Sequence, residues 1–142
     1  MIFVDSNFWI ALFNTQDSCH KKAIELYRAL PERFRNRKLM VNNLITAETL
    51  TVLSQRGGKA LALRFYETVS QSGIVEVVYI DVALEGEAMV YFKKIISKNI
   101  SFADCTIFAT VDKYAIRDVL SFDEHLNYKK DYRLINDAKQ VS

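Results

Sequence analysis

The chain opens with an uninterrupted apolar run, Ile2-Phe3-Val4, and then places Asp5. Short runs of strand-forming residues without polar alternation mark strands covered on both faces, as in parallel sheets. Ser6 or Asn7 can cap a following helix, whose Phe8, Trp9, Ala11, Leu12 and Phe13 leave little polar surface, so it is expected to be largely buried. From Ser18 to Leu30 the spacing becomes helical and amphipathic, with Ala23, Ile24, Leu26, Tyr27 and Leu30 inside and Lys21, Lys22, Glu25 and Arg28 outside. Pro31, the only proline, ends or bends that helix. Leu39-Met40-Val41 predicts a second strand, and Asn42-Asn43 can cap a helix from about Leu44 to Gln55 that Gly57-Gly58 stops.

Lys59 to Ser72 is again helical, Gly73 closes it, and Ile74 to Ile80 is rich enough in strand formers to be a third strand. Asp81 can cap a helix from about Val82 to Ser97, and another is expected from Ser101 to Tyr114. Asp118 to Phe122 predicts a fourth strand ending at Asp123, and Leu134-Ile135 belongs to a last one. Strands alternating with helices imply an α/β fold in three layers: a central parallel sheet of four or five short strands with helices on both faces. For any one short apolar run, a piece of buried helix remains the alternative.

Composition narrows the class. The 142 residues, 50% hydrophobic and 25% charged, suit one globular domain over 1–142, with no repeat or linker that would divide it. Cys19 and Cys105 lie far apart, form no CxxC pair and have only two histidines to help them, which argues against structural zinc and for reduced cytosolic thiols. The amino terminus shows no secretion signal, and the longest clearly apolar run, Phe8 to Phe13, is far short of the ~20 residues of a membrane span. A soluble, cytoplasmic protein with no membrane association is expected. Its formal charge of +2 permits an anionic partner without demanding one.

Asp5 and Asp123 fall at the carboxyl ends of predicted strands, where open parallel sheets bind ligands. Glu48 shares a helical face with Leu44, and Asp104 with Phe108, so both are expected to turn toward the protein body. Clustered carboxylates raise one another's pKa unless a cation neutralises them, and Mg2+ or Mn2+ is the hard cation that oxygen ligands suit. With a phosphodiester bound, such an ion supports hydrolysis, the chemistry of a nuclease. Ser6 can add a hydroxyl to that site. Each acid also has a plain reading: Asp5 as an N-cap, Glu48 as a solvated helix residue, Asp104 as a first-turn acid and Asp123 as a turn residue. Their joint placement lifts the functional reading.

At these residues the chain resembles the PIN-domain family, particularly its small toxin ribonucleases of the VapC type. Ile2-Phe3-Val4-Asp5-Ser6-Asn7 is similar to the family's opening strand with its first metal-binding acid, and Thr46-Ala47-Glu48 to the helix bearing the second. Ser101-Phe102-Ala103-Asp104-Cys105 is similar to the segment bearing the third acid, and Leu120-Ser121-Phe122-Asp123 to the strand end bearing the fourth. The resemblance implies a PIN-like fold and an endoribonuclease dependent on Mg2+ or Mn2+, with Asp5, Glu48, Asp104 and Asp123 as metal ligands and catalytic residues. It also implies an RNA substrate, a protein antitoxin and a homodimer. Leu126 departs from the aromatic residue many relatives carry there, which touches packing more than chemistry.

Basic residues gather at Arg33, Arg35, Arg37 and Lys38, at Lys93, Lys94 and Lys98, and at Lys129, Lys130 and Arg133; these can track an RNA backbone or simply cover the surface. His125, near Asp123, is either a general acid–base or an ordinary turn residue. Phe8 and Trp9 suit core packing, while Phe65-Tyr66 suits a partner contact. A dehalogenase-type phosphatase would need an aspartate at Asn7, and no glycine-rich phosphate loop is present. That disfavours a magnesium-dependent phosphotransfer or receiver-like module; the second rival is a non-catalytic RNA- or protein-binding module, or an RNA-processing one, on the same fold.

Overall fold

The computed structural model describes residues 1–30 and 36–141. Pro31, Arg33 and Arg35, the expected helix stop and part of a basic cluster, lie outside the described residues. Five short strands, β1 (Ile2–Val4), β2 (Leu39–Asn42), β3 (Val75–Val78), β4 (Asp118–Leu120) and β5 (Arg133–Ile135), form one sheet in the order β3-β2-β1-β4-β5. Every pairing is parallel, with Phe3 opposite Met40 of β2 and Val119 of β4. The central place of β1 explains its sequence. Ile2, Phe3 and Val4 are wholly buried, so neither face can carry a polar side chain.

Among the described residues, six α-helices connect the strands: α1 (Ser6–Phe13), α2 (His20–Ala29), α3 (Asn43–Gly57), α4 (Lys59–Gln71), α5 (Val82–Lys94) and α6 (Phe102–Lys113). Right-handed connections from β1 through β2 to β3 put α1–α4 on one face, and the return to β4 puts the packed pair α5 and α6 on the other. The result is the three-layer α/β/α architecture that the strand and helix pattern predicts. No helix among the described residues is long and apolar enough to cross a membrane.

Several boundaries shift, each for a local reason. β3 ends at Val78, and the Ile80 N–H is taken by the Asn43 side chain at 2.7 Å rather than by a neighbouring strand. α5 stops at Lys94 rather than Ser97 because Ile95 adopts an extended backbone. α3 runs on to Gly57, and Gly58 turns the chain into α4 with φ 93°, a left-handed value that favours glycine. β4 pairs only to Leu120, although the Ser121 N–H still reaches the Ile135 carbonyl at 3.2 Å.

Phe65 corrects an expectation. It is fully buried, with its ring 5.7 Å from Trp9 and 5.5 Å from Phe13, whereas Tyr66 is half exposed. Consecutive helical residues point roughly 100° apart, so the two cannot share one outward face. Phe65 belongs to the core and only Tyr66 remains at the surface.

Candidate active site

The chain steps from β1 outward to β3 and then returns to lay β4 beside β1. The crevice beyond the carboxyl ends of β1 and β4 is therefore the switch point at which open parallel sheets bind ligands. Asp5 follows β1 directly. It is the N-cap of α1, with Oδ1 accepting the Ser6 N–H at 2.7 Å, and that cap holds the carboxylate at the strand end. The plain and functional readings of Asp5 thus describe one geometry.

Asp5 Oδ2 accepts the Ser121 hydroxyl at 2.7 Å and the Asn7 amide Nδ2 at 3.1 Å. Asn7 also accepts the Phe122 N–H at 2.9 Å, and Ser121 Oγ accepts the Asp123 N–H at 3.0 Å. These bonds lock the end of β1 to the turn after β4. The roles of Asn7 and Ser121 were missed from the sequence, where Asn7 signalled only a helix cap and Ser121 only a strand. The available signal was a hydroxyl closing an otherwise apolar strand, since a buried hydroxyl requires a partner. Ser121→Ala is expected to lower the unfolding free energy by about 1–3 kcal/mol, because it removes a bond to the buried Asp5 carboxyl and strands the Asp123 N–H. A shift in the urea midpoint at constant slope would show it; an unchanged midpoint would mean that Asp5 needs no such support.

Burial raises the Asp5 carboxyl from 3.8 to about 7; hydrogen bonds from Ser121 and Ser6 oppose the shift, and the charges of Asp104 and Glu48 add to it. Asp104 forms a reciprocal capping box at the start of α6: its Oδ2 accepts the Ser101 N–H at 2.9 Å, and Ser101 Oγ accepts the Asp104 N–H at 3.1 Å. Burial raises its carboxyl too, against the Ser101 bonds and with help from the charges of Asp123 and Glu48. Asp123 caps the short 3₁₀ helix Glu124–Tyr128, its Oδ1 accepting the His125 N–H at 2.9 Å and lying 2.8 Å from the ring Nδ1. Glu48 departs from expectation: it is solvent-exposed on α3 and stands in the wall of a cleft instead of turning inward.

The fold thus brings Asp5 within range of the charges of Asp104 and Glu48, and Asp104 within range of those of Asp123 and Glu48. Tyr132, which the sequence did not single out, joins them: burial first, then the charges of Asp5 and Asp104, push its hydroxyl up, and that hydroxyl donates to the Leu126 carbonyl. Leu126 is fully buried, so the departure there does concern packing. Cys105 is buried beside Asp104, its thiol pushed up to about 11 by burial and then by that charge; it and Cys19 are free thiols.

The donor chemistry fits a hard divalent cation. Glu48, one oxygen of Asp104 and one of Asp123 make no hydrogen bond to the described residues, and the second partner of Asp5 Oδ1 is the rotatable Ser6 hydroxyl at 3.4 Å. Among the described residues no three acidic, histidine or cysteine side chains converge into a ready-made cage. Mg2+ and Mn2+ do not require one, since they keep several waters and take one or two protein carboxylates directly.

Three of the clustered cations prove to be structural. Lys129 lies 2.6 Å from both Asp112 and Asp131 with only 10% of its side chain exposed, and Asp112 also accepts the Tyr91 hydroxyl. Arg133 and Arg37 both pair with the buried Asp118 at the opposite end of the sheet.

A parallel sheet with acids gathered at its switch point defines the class, and residues 2–131 match the PIN domain: the chain belongs to that family. It is 32% identical over 123 residues to the 23S rRNA-specific endonuclease VapC20 of Mycobacterium tuberculosis, covering 87% of this chain and 89% of the relative. A VapC ribonuclease of Archaeoglobus fulgidus is 25% identical over 125 residues, covering 87% and 78% respectively. The crystal structure of VapC20, a sarcin–ricin loop cleaving toxin, matches with a TM-score of 0.80 at 30% identity, covering 90% of this chain and 94% of that one. VapBC2 from Rickettsia felis, bound to a promoter DNA fragment, shares the fold at a TM-score of 0.62 and 14% identity, covering 96% and 99%.

Proposed function

We propose that this protein is an endoribonuclease dependent on Mg2+ or Mn2+ that hydrolyses RNA phosphodiester bonds and serves as the toxin of a toxin–antitoxin pair. The observation that carries the reading is the buried Asp5 carboxylate at the end of the central strand, raised to about 7 and sharing its field with Glu48 and Asp104. A carboxylate kept in so unfavourable a place is one that a cation would relieve. The naming of the similar proteins as ribonucleases supports the reaction class.

Asp5, Glu48, Asp104 and Asp123 would hold the ion. The chemistry it supplies when bound is polarisation of a phosphodiester and a lowered pKa for water. Asn7 and Ser121 orient Asp5 and keep its Oδ2 engaged, so that Oδ1 is the oxygen it can offer. Ser6, whose hydroxyl faces that oxygen, is placed to meet a water or a phosphate oxygen. Apolar side chains left in solvent on and around α5, among them Val82 at 87% and Ile96 at 99%, suit contact with a second copy or an antitoxin.

The test is cleavage of a panel of structured and single-stranded RNAs with magnesium, with manganese and with chelator, comparing wild type with Glu48→Gln. Because Glu48 is exposed and makes no hydrogen bond to the described residues, this variant is expected to fold like wild type and to cut at least about tenfold more slowly. RNA bound but uncut by wild type under every condition would replace this reading with that of a binding module.

A further inference from the structure

Beside the carboxylates a cleft of about 240 Å³ opens between α1, α3 and the turn after β4, lined by Ser6, Asn7, Glu48, Val52, Arg56 and Phe122 among others. It is smaller than the roughly 300 Å³ at which pockets for drug-sized ligands begin, which suits a single ring system. Phe122 is partly exposed in its wall and rests on buried Phe8, ring centroids 5.7 Å apart and planes inclined by 26°. The exposed Lys22 carries its ammonium 5.8 Å from the Phe122 centroid. Arg56 enters from α3 with 62% of its side chain exposed, reaching Asp17 at 3.7 Å; Asp17 also lines the cleft, and that pairing offsets its charge.

We propose that Phe122, with Lys22 over its ring and Arg56 lining the same cleft, is a stacking subsite for one unpaired nucleobase beside the carboxylate cluster, selecting RNA that is single-stranded next to the phosphate that is cut. The inference rests on reading the cluster as an RNA-cleaving site. An aromatic face bordered by two cations is the combination that binds single-stranded nucleic acid: the ring takes the base and the cations take the backbone. The Lys22 ammonium is held over the ring only by a weak, solvent-exposed contact, which an arriving base can replace while the ammonium moves to a phosphate.

The register is built in. Asn7 accepts the Phe122 N–H and donates to Asp5 Oδ2, so a single side chain ties the backbone of the stacking residue to the buried carboxylate. Phe122 also stands between Ser121, which holds Asp5, and Asp123. A base stacked there has its own phosphate next to the acids. Since every base has a π-face, the subsite demands a base without choosing which.

The test measures binding and cutting separately. Fluorescence anisotropy with a short mixed-sequence single-stranded RNA, with calcium replacing magnesium, is compared for wild type, Phe122→Leu and Phe122→Tyr. Leucine keeps the apolar contact with Phe8 and removes the stacking face; tyrosine keeps both. Phe122→Leu is expected to weaken binding about tenfold to a hundredfold and Phe122→Tyr to leave it within about twofold. An abasic residue moved along the same RNA should find one position where wild type binds as weakly as Phe122→Leu. Lys22→Ala and Arg56→Ala should each flatten the salt dependence of binding. Equal binding by wild type and folded Phe122→Leu, or indifference to abasic residues at every position, would overturn the subsite. Absence of cutting in magnesium, with binding still dependent on Phe122, would overturn the reaction and leave the subsite standing.

Discussion

Replacing Asp5 by asparagine is expected to abolish RNA cutting in magnesium, by roughly a thousandfold or more, as losing several kcal/mol of metal-assisted stabilisation implies. The same variant should separate from wild type in its stability against pH when both are held in chelator. In the folded chain the Asp5 carboxyl titrates at about 7, against 3.8 for an unburied aspartate. Between those values the folded state holds a proton that the unfolded state has released, so wild-type stability falls as pH rises through the window. The slope is about 1.4 kcal/mol per pH unit, on the order of 4 kcal/mol across the window.

The amide introduced by Asp5→Asn cannot ionise, so the stability of that variant lacks this pH dependence. Its amide nitrogen would face donors at Asn7 and Ser121, which adds an offset independent of pH. The difference between wild type and variant, measured by urea unfolding from pH 4 to pH 7.5, should therefore drift steadily toward the variant. Magnesium should restore wild type at the upper end and leave Asp5→Asn unchanged, since a ligand that binds only the folded state stabilises it. A pH-independent difference would show that Asp5 is ionised in the folded chain without help, and would remove the main support for a metal there.

Phe65→Ala is expected to cost about 3–5 kcal/mol, the range for deleting a fully buried phenyl ring. Its ring contacts Trp9 and Phe13, so the cavity would open between α1 and α4. Tyr66→Ala should stay within about 0.5 kcal/mol, as for an exposed residue free of special contacts. Urea unfolding of both variants decides the matter. A costly Tyr66 with a tolerant Phe65 would mean that α4 is rotated from the orientation described, whereas the expected result frees Tyr66 for any study of partner binding.

Periodicity made most of the fold legible. The apolar run Ile2-Phe3-Val4, the caps at Asn42 and Asp81, and the switches between strand and helix spacing come from local physics: side-chain direction, capping hydrogen bonds and the need to cover both faces of a parallel strand. The positions of Asp5 and Asp123 at strand ends and of Asp104 at a helix start were also legible, whereas the inward turn expected of Glu48 from its helix face was not borne out. Strand length was less so, since two residues beyond the ends of β3 and β4 the N–H is taken by a side chain from elsewhere.

What the amino-acid sequence determined alone was therefore the class of fold, the order of its elements and the placing of Asp5, Asp104 and Asp123 at element ends. Only the tertiary structure decided that Glu48 is exposed at a cleft wall, that Phe65 is core, and that Lys129 and Arg133 are held in ion pairs. It also decided that Asn7 and Ser121 hold Asp5, that Lys22 lies over the Phe122 ring, and that Arg56 and Phe122 share a cleft with Glu48. The reason is physical. Local pattern is written in the spacing of neighbours, whereas burial, pairing and field depend on residues that crossover connections bring together from distant parts of the chain.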